Sequence, residues 1–379
     1  MHLNLCRSLS LWFALVIVAP VFAAEPVLIA TGAGDLAPKQ PQAAVAADGI
    51  VHLVYGVKDS VFHCRSTDGG GTFSKPKAGF AVANLSLGMR RGPRLVVTPD
   101  ALVVTAIGGL QGKGRDGDLQ AWRSTDDGVT WVGPVRVNDT PDSAREGLHG
   151  MASGADGSVW CVWLDLRQKQ SEVYAAQSLD GGLTWKANVL VYRSPGGSVC
   201  ECCHPSVVVA EGVVHVMFRN LLAGNRDMYV TSSEDGETFT PAKKVGQGTW
   251  KIDGCPMDGG MLATGPHESL ITVWQRNGQV FSAASTGGKE RLLGAGELPW
   301  VASHASGPVF VWTAGRDREL CVRTPQAKQH LSLSAGASNP MVAATAKADS
   351  PVVVCWESQR AGQAAVLVAR LEINPPKSR

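Results

Sequence analysis

The 379-residue chain carries 35 basic and 33 acidic side chains, a formal net charge of +2 at pH 7. It has no basic stripe interleaved with aromatic residues, which argues against nucleic acid as a partner. Its 43 glycines, 21 prolines and 11 tryptophans, without a sustained helical period, are typical of many short strands joined by tight turns.

The first 23 residues have the pattern of a secretory signal segment, with Arg7 near the start, an apolar run over 9–18 and a cleavage point after Ala23. The run is shorter than the ~20 residues that a membrane span needs, and no later stretch approaches that length. We therefore expect an exported protein, periplasmic or secreted, with no membrane span. A single domain is expected over residues 25–373, followed by a short tail over 374–379.

An eight-residue pattern recurs four times, at intervals of 54 to 58 residues. The copies run from Ser66 to Phe73, Ser124 to Trp131, Ser178 to Trp185 and Ser232 to Phe239, with acidic residues Asp68, Asp126, Asp180 and Glu234. In a turn of this composition the acidic side chain accepts hydrogen bonds from the turn's own amides, and glycine supplies positive φ. The regular spacing indicates a repeat protein.

Alignment on these turns gives seven units, each beginning with a turn and an apolar strand. The residues just before the Pro or Gly of each start are Gln40, Gly92, His149, His204, Cys255, Leu298 and Asn339. We predict an all-β β-propeller of four-stranded antiparallel blades, seven in number, or six if two of the shorter last units share one blade. The last unit lacks a fourth strand, which residues 27–30 can supply, so that the N- and C-terminal strands pair and close the ring.

The eight-residue pattern resembles the Asp-box, or BNR repeat, of the sialidase superfamily. The resemblance covers most of residues 41–300 and implies a propeller scaffold, and for activity an exo-alpha-sialidase-like glycoside hydrolase. The chain departs from the family's catalytic pattern, because its last tyrosine is Tyr229, whereas the family's nucleophilic tyrosine lies late in the chain. The family's N-terminal Phe/Tyr-Arg-Ile-Pro motif is also missing. The shared motifs therefore belong to the scaffold rather than to an active site.

Antiparallel strands place the unit starts and the hairpins between second and third strands on one face, and the Asp-boxes on the other. On the former face Asp165, Arg167 and Arg219 are candidates for catalysis or for binding an acidic glycan. The alternative is a structural role, in which Arg167 pairs with Asp165 or stacks on a neighbouring ring. A non-catalytic propeller that binds a glycan or a protein partner is also consistent with the sequence.

A cluster of thiol, imidazole and thioether side chains is predicted at the mouth of the channel. The expected members are Cys200, Cys202, Cys203, His204, Cys255, His149 and Met257. Soft metals prefer such donors, and we expect a bound metal ion as cofactor, copper rather than zinc because methionine adds little for zinc. The alternatives are a structural disulfide from Cys203 or Cys200 to Cys255, or a redox-active thiol.

Overall fold

The structure, a computed structural model, describes residues 22–265, 270–284, 289–327 and 329–373. Within these ranges the chain forms 29 strands and one 3-10 turn, Gly34–Leu36, and contains no α-helix. Accordingly, no helix in this part of the chain has the length and apolar character needed to cross a membrane. The predicted signal segment, except its last two residues, and the tail over 374–379 lie outside the described residues.

The strands are arranged as seven antiparallel sheets around a central channel. The chain begins with β1 (Phe22–Ala23) and β2 (Val27–Gly32). Blade 1 contains β3 (Lys39–Val45), β4 (Val51–Val57), β5 (Ser60–Ser66) and β6 (Lys77–Ala81). Blade 2 contains β7 (Arg94–Val97), β8 (Leu102–Gly108), β9 (Asp118–Ser124) and β10 (Val132–Arg136). Blade 3 contains β11 (His149–Ser153), β12 (Val159–Asp165), β13 (Glu172–Ser178) and β14 (Val189–Tyr192).

The remaining four blades follow in the same order. Blade 4 contains β15 (Ser206–Ala210), β16 (Val213–Leu222), β17 (Asn225–Ser233) and β18 (Lys243–Lys244). Blade 5 contains β19 (Met261–Thr264), β20 (Leu270–Arg276), β21 (Gln279–Ala284) and β22 (Arg291–Ala295). Blade 6 contains β23 (Glu297–Ala302), β24 (Val309–Ala314), β25 (Glu319–Arg323) and β26 (Leu331–Ser334). Blade 7 contains β27 (Ser338–Ala343), β28 (Val352–Arg360) and β29 (Gln363–Glu372), completed by β2.

Ring closure joins the two ends of the chain. β2 pairs antiparallel with β29, with Val27 opposite Val368 and Gly32 opposite Ala364. The prediction of seven blades closed by terminal strands is confirmed. The six-bladed alternative is wrong, because each of the last three units forms its own sheet.

The middle strands of the blades carry the core. All seven residues of β8 and of β12 are buried, because each blade packs between two neighbours. This two-sided burial explains why these strands are almost continuously apolar rather than alternating. The fourth strands β6 and β10 are largely exposed, as expected for the outer edge of each blade.

The eight-residue turns lie between the third and fourth strands of blades 1 to 4, on the face opposite the starts of the first strands. Asp180 accepts hydrogen bonds from Ser178 Oγ at 2.8 Å, from the Thr184 amide at 2.9 Å and from Thr184 Oγ1. Asp68 and Asp126 make the same contacts in their own turns. The acidic residues therefore organise the turns, as the sequence predicts, and do not take part in a site on the other face.

The fourth turn differs from its predicted register. Its acidic residue is Asp235, and the prediction of Glu234 is wrong. Asp235 accepts hydrogen bonds from Ser233 Oγ at 2.9 Å and from the amides of Glu237 at 2.8 Å and Thr238 at 2.7 Å. The turn is one residue shorter after its acidic position, so the aspartate adjacent to Glu234 reaches the amides.

Candidate functional site

The candidate site lies on the face where the first strands of the blades begin, which we call the entrance face. Those strands start at Lys39, Arg94, His149, Ser206, Met261, Glu297 and Ser338. The linkers that enter each blade and the hairpins between second and third strands meet on this face. All chemistry predicted from the sequence therefore depends on which residues these linkers place next to one another.

The start of blade 5 does not lie where the sequence alignment puts it. Met261 pairs with Val273 as Ser206 pairs with Met217 in blade 4, so Gly259 is the counterpart of His204. The assignment of Cys255 to this position is therefore wrong, by four residues. Glycine is required there, because a Cβ atom on Gly259 would overlap the carbonyl oxygen of His204. Cys255 and Met257 lie in the linker before the strand rather than at its entrance.

The two predicted histidine ligands are buried between blades. His149 Nε2 lies 3.0 Å from Thr105 Oγ1, and His204 Nε2 lies 3.3 Å from Met261 Sδ. Burial lowers the pKa of both imidazoles well below 6.5, so they are neutral at pH 7. The His204 ring also stacks on Trp300, with centroids 6.1 Å apart. Neither histidine joins the cysteines in a common group of donor atoms within the described part of the chain.

Three cysteines do come together, and we call them the sulfur cluster: Cys200, Cys202 and Cys203. Their Sγ atoms form a nearly equilateral triangle, with 3.5 Å between Cys200 and Cys203, 3.7 Å between Cys200 and Cys202, and 3.8 Å between Cys202 and Cys203. The linker that holds them is anchored to blade 4, where the Cys200 amide donates to the carbonyl of Arg219 at 3.0 Å. Cys200 and Cys203 are buried, and Cys202 is half-buried at the rim.

One member of the cluster is also bonded to the fourth predicted cysteine ligand. Cys202 forms a disulfide with Cys255, across the linkers that enter blades 4 and 5. The predicted pairings of Cys255 with Cys203 or Cys200 are wrong, because both of those side chains are buried in the linker while Cys202 turns outward. Cys200 and Cys203 keep free thiols. Neither Cys202 nor Cys255 can be a thiolate ligand while this bond is intact.

The surroundings of Cys200 are cationic. Arg226 Nη1 donates to Cys200 Sγ at 3.0 Å. A hydrogen bond with Cys203, together with Arg219 and Arg226, lowers the pKa of Cys200 to about 6, against the effect of burial. Burial raises the pKa of Cys203 well above 9. The sequence alone does not single out Arg226. Its one indication is its position in the hairpin formed by β16 and β17 of blade 4, the blade that follows the cysteine-rich linker.

The arginines near the channel are bound to backbone carbonyls. Arg219, a predicted candidate, is buried and donates to the carbonyls of Asp258, Arg226 and Gln275 at 2.8 to 3.2 Å. Arg90 crosses from the linker before blade 2 to the carbonyl of Leu298 at 2.5 Å. These contacts occupy the guanidinium groups, so they are not free to bind the carboxylate of an acidic sugar.

Asp165 and Arg167, the other catalytic candidates, form a structural pair. Asp165 accepts hydrogen bonds from Ser143 Oγ at 2.7 Å, from Trp163 Nε1 at 2.7 Å and from Arg167 Nε at 2.9 Å. The guanidinium of Arg167 lies 3.9 Å from the ring centroid of Tyr174. Because the Asp165 side chain is fully buried, the arrangement matches the structural alternative for these two residues.

A polar cavity of about 710 Å³ lies on the entrance face beside blades 1 and 2. Five basic and three acidic side chains line it: Lys39, Lys58, Lys113, Arg91, Arg145, Asp35, Asp59 and Glu146. Burial raises the pKa of Glu146, and Glu201 of the cysteine-rich linker is close enough to raise it further. Sequence reasoning missed the cavity because its side chains come singly from separate linkers and hairpins.

Comparison with known proteins finds a family model that matches part of the chain. A BNR repeat-like domain matches residues 96–253. Over 172 residues the chain is 27% identical to the xyloglucanase Xgh74A of Acetivibrio thermocellus, a match that covers 41% of this chain and only 18% of that protein.

Two solved structures illustrate the likeness of the fold. A protein of unknown function from Dyadobacter fermentans is 16% identical with a TM-score of 0.56, covering 93% of this chain and 99% of that chain. A sialidase from Streptococcus pneumoniae is 11% identical with a TM-score of 0.54, covering 92% of this chain and 70% of that one. At these identities the likeness concerns the fold, and the chemistry has to be argued from the site itself.

Proposed function

We propose that this seven-bladed β-propeller, whose fold and repeats are sialidase-like, holds a thiophilic metal ion at Cys200, Cys202 and Cys203. Copper(I) is the favoured ion. The binding form is the one in which Cys202 carries a free thiol. We further propose that the protein is exported, as the pattern of its first 23 residues indicates.

The triangle of sulfur atoms supports this proposal most directly. A point equidistant from the three Sγ atoms lies about 2.1 Å from each, close to the ~2.3 Å that thiolate sulfur keeps from zinc. An ion displaced slightly from the plane therefore reaches all three atoms without movement of the linker. Cys200 and Cys203 are buried and Cys202 is half-buried, so an ion held by the three would be largely shielded from solvent.

The number of donors favours copper(I) over zinc. Structural zinc sites are almost always four-coordinate, whereas thiolate sulfur selects soft copper(I), which three thiolates can satisfy. No fourth Cys, His, Asp or Glu atom joins the group among the described residues. His149 and His204 are left out of the proposed ligand set, because neither shares a group of donor atoms with the three cysteines. Cys255, which is bonded to Cys202, and Met257 are not part of the proposed set either.

A metal titration tests the proposal. The protein is fully reduced, freed of reductant under anaerobic conditions and titrated with copper(I) in competition with a chromophoric chelator. We expect one tightly bound ion in the wild type. Cys200→Ser should weaken binding more than about 100-fold, since even residues that only orient metal ligands contribute 10- to 100-fold.

The matched control is Cys321→Ser, which removes a buried thiol from β25, outside the linkers that carry the sulfur cluster. It should bind copper like the wild type. Circular dichroism confirms that each variant is folded. Equal affinity in the wild type and Cys200→Ser would contradict the proposal.

A second candidate function is binding of an acidic carbohydrate in the cavity beside blades 1 and 2. The observation in its favour is the set of five basic side chains around about 710 Å³ of space on the entrance face. We favour binding over hydrolysis, because the guanidinium groups of Arg90 and Arg219 near the channel donate their hydrogen bonds to backbone carbonyls. Calorimetric titration with sialyllactose and with a neutral xyloglucan oligosaccharide tests it. Loss of sialyllactose binding in Arg91→Ala would support the idea, and no heat with either ligand would contradict it.

A further inference from the structure

The Cys202–Cys255 disulfide lies in contact with two free thiols. Cys200 Sγ is 3.7 Å and Cys203 Sγ 3.8 Å from Cys202 Sγ. A disulfide that serves only to join two linkers needs no such neighbours. Here the sulfur of Cys202 is at the same time one half of the disulfide and the third corner of the triangle. Cys202 Sγ can therefore either form the disulfide with Cys255 or bind a metal ion as a thiolate, but not both at once.

The two ends of the disulfide differ in their access to solvent. Cys255 is exposed, in a linker that also exposes Asp253 and Gly254, and Cys202 is half-buried. Cys200 and Cys203 are buried behind it. A thiol from solution can therefore reach the sulfur of Cys255, while the two buried thiols remain protected from it. Attack at Cys255 makes Cys202 the leaving group, next to the two thiols with which it would share a metal ion.

From these contacts we infer that Cys202–Cys255 is a redox-active disulfide, open to small dithiols through Cys255, and that its reduction completes the three-thiolate site. The inference rests on the proposed metal-binding function. In the oxidised state Cys202 is not available as a thiolate, and only Cys200 and Cys203 remain. In the reduced state all three corners of the triangle can bind the ion, so the disulfide controls metal binding.

The exchange balances with a dithiol as co-reactant. A thiolate of the dithiol attacks Cys255 Sγ, a mixed disulfide forms, and Cys202 leaves as a thiolate. The second thiol of the dithiol then attacks the mixed disulfide on the dithiol's own sulfur and releases Cys255 as a thiolate. The two released thiolates take up the two protons that the dithiol loses, so the protein gains two electrons and two protons, and the dithiol becomes a cyclic disulfide. The reverse reaction returns the protein to its oxidised state.

The first measurement follows the exchange without any metal. The folded protein is equilibrated in buffers of reduced and oxidised dithiothreitol, and its thiols are then trapped by alkylation and assigned by mass spectrometry. We expect Cys202 and Cys255 to become labelled together in the folded protein, while circular dichroism stays unchanged. If they are labelled only after unfolding, the disulfide is structural and the inference is overturned.

The second measurement links the exchange to metal binding. Copper(I) is titrated anaerobically into the oxidised wild type, the reduced wild type and Cys255→Ser, a variant in which Cys202 has lost its partner. We expect one tight ion in the reduced wild type and in Cys255→Ser without prior reduction, and at least 100-fold weaker binding in the oxidised wild type. The Cys321→Ser control keeps the disulfide and should follow the wild type in both states.

The outcomes separate the two proposals. Equal, tight copper binding by the oxidised and reduced wild type overturns the control by the disulfide and the role of Cys202 as a ligand, and leaves only a site formed by Cys200 and Cys203. No tight binding by either the reduced wild type or Cys255→Ser overturns the metal site and, with it, the link to the disulfide. In that case the alkylation result still decides whether the disulfide is redox-active.

Discussion

The buried carboxylate of Asp165 should be one of the main contributors to stability in blade 3. Its two oxygens accept hydrogen bonds from Ser143 Oγ, Trp163 Nε1 and both the amide and the guanidinium of Arg167, all at 2.7 to 3.0 Å. The side chain of Asp165 is 0% exposed. Asp139 pairs with the same arginine at 2.9 Å, yet its side chain is 48% exposed. Both aspartates carry the same charge and pair with Arg167, but only Asp165 is buried. Comparing their removal therefore shows how much of the stabilisation depends on burial.

Asp165→Ala should lower the free energy of unfolding by about 3–5 kcal/mol. Removing one partner of a buried ion pair typically costs about that much; here Arg167 would keep only the exposed Asp139, and Trp163 and Ser143 would lose their acceptor. Asp139→Ala should cost at most about 1 kcal/mol, because an exposed ion pair is screened by water. A catalytic but structurally dispensable Asp165 would show the opposite, with lost activity and normal stability.

The assay is urea unfolding followed by tryptophan fluorescence, with midpoint and slope fitted for each variant. Reversibility is checked by dilution from urea, and circular dichroism follows the sheet content in parallel. If Asp165→Ala loses no more stability than Asp139→Ala, the reasoning from burial is refuted. If the dependence of the unfolding free energy on urea concentration differs strongly between the variants, blade 3 unfolds separately from the other blades. The variants must then be compared on the unfolding transition of blade 3.

Three further predictions follow from the turns, the ion pairs and the linkers. Asp235→Ala should lower the melting temperature while Glu234→Ala leaves it unchanged, and the reverse would contradict the observed register of the fourth turn. The hydrogen bond from Arg276 lowers the pKa of Glu290 from 4.5 to about 2, so the stabilisation by this pair is complete above pH 4.5 and is lost as the pH falls towards 2. Glu290→Gln should therefore show a smaller fall in melting temperature between pH 4.5 and pH 2 than the wild type. An equal fall in the two proteins would contradict the role of this ion pair. Gly259→Ala should cost about 1–3 kcal/mol in urea unfolding, because its Cβ has no space, and an unchanged midpoint would contradict the close approach of the two linkers.

The propeller could be predicted because its signals are local and repeated. The spacing of Asp68, Asp126 and Asp180 reflects one turn used three times, so the register of blades 1 to 3 follows directly from the sequence. The pairing of the N-terminal strand with blade 7 could also be predicted, because the last unit is one strand short.

The errors arose where two registers fit the same sequence. Glu234 and Asp235 are both acidic, and only the length of the turn decides which of them reaches the amides. In blade 5 the proline after Cys255 looks like the start of a strand, but close packing against the previous linker selects Gly259. Steric requirements of this kind depend on the neighbouring blade and leave no trace in the local sequence.

The cysteine cluster could be predicted in composition but not in connectivity. Adjacent residues of an irregular linker point in different directions, so the order Cys200, Cys202, Cys203 does not show which of them faces Cys255. The role of Arg226 could not be predicted either, because its contact with Cys200 spans 26 residues and two separate elements. The buried histidines fit the chemistry of soft metals, but their packing places Nε2 of each ring against Thr105 or Met261 and keeps both rings apart from the three cysteines.

X-ray absorption at the copper edge of the reduced, copper(I)-loaded protein is the most direct test of the proposed metal site. A site formed by Cys200, Cys202 and Cys203 predicts one ion with a first shell of three sulfur atoms, at about the 2.3 Å typical of thiolate ligands. The signal should disappear in Cys200→Ser and persist in Cys321→Ser. A first shell of nitrogen or oxygen atoms, or a sulfur shell unchanged in Cys200→Ser, would contradict the three-thiolate site.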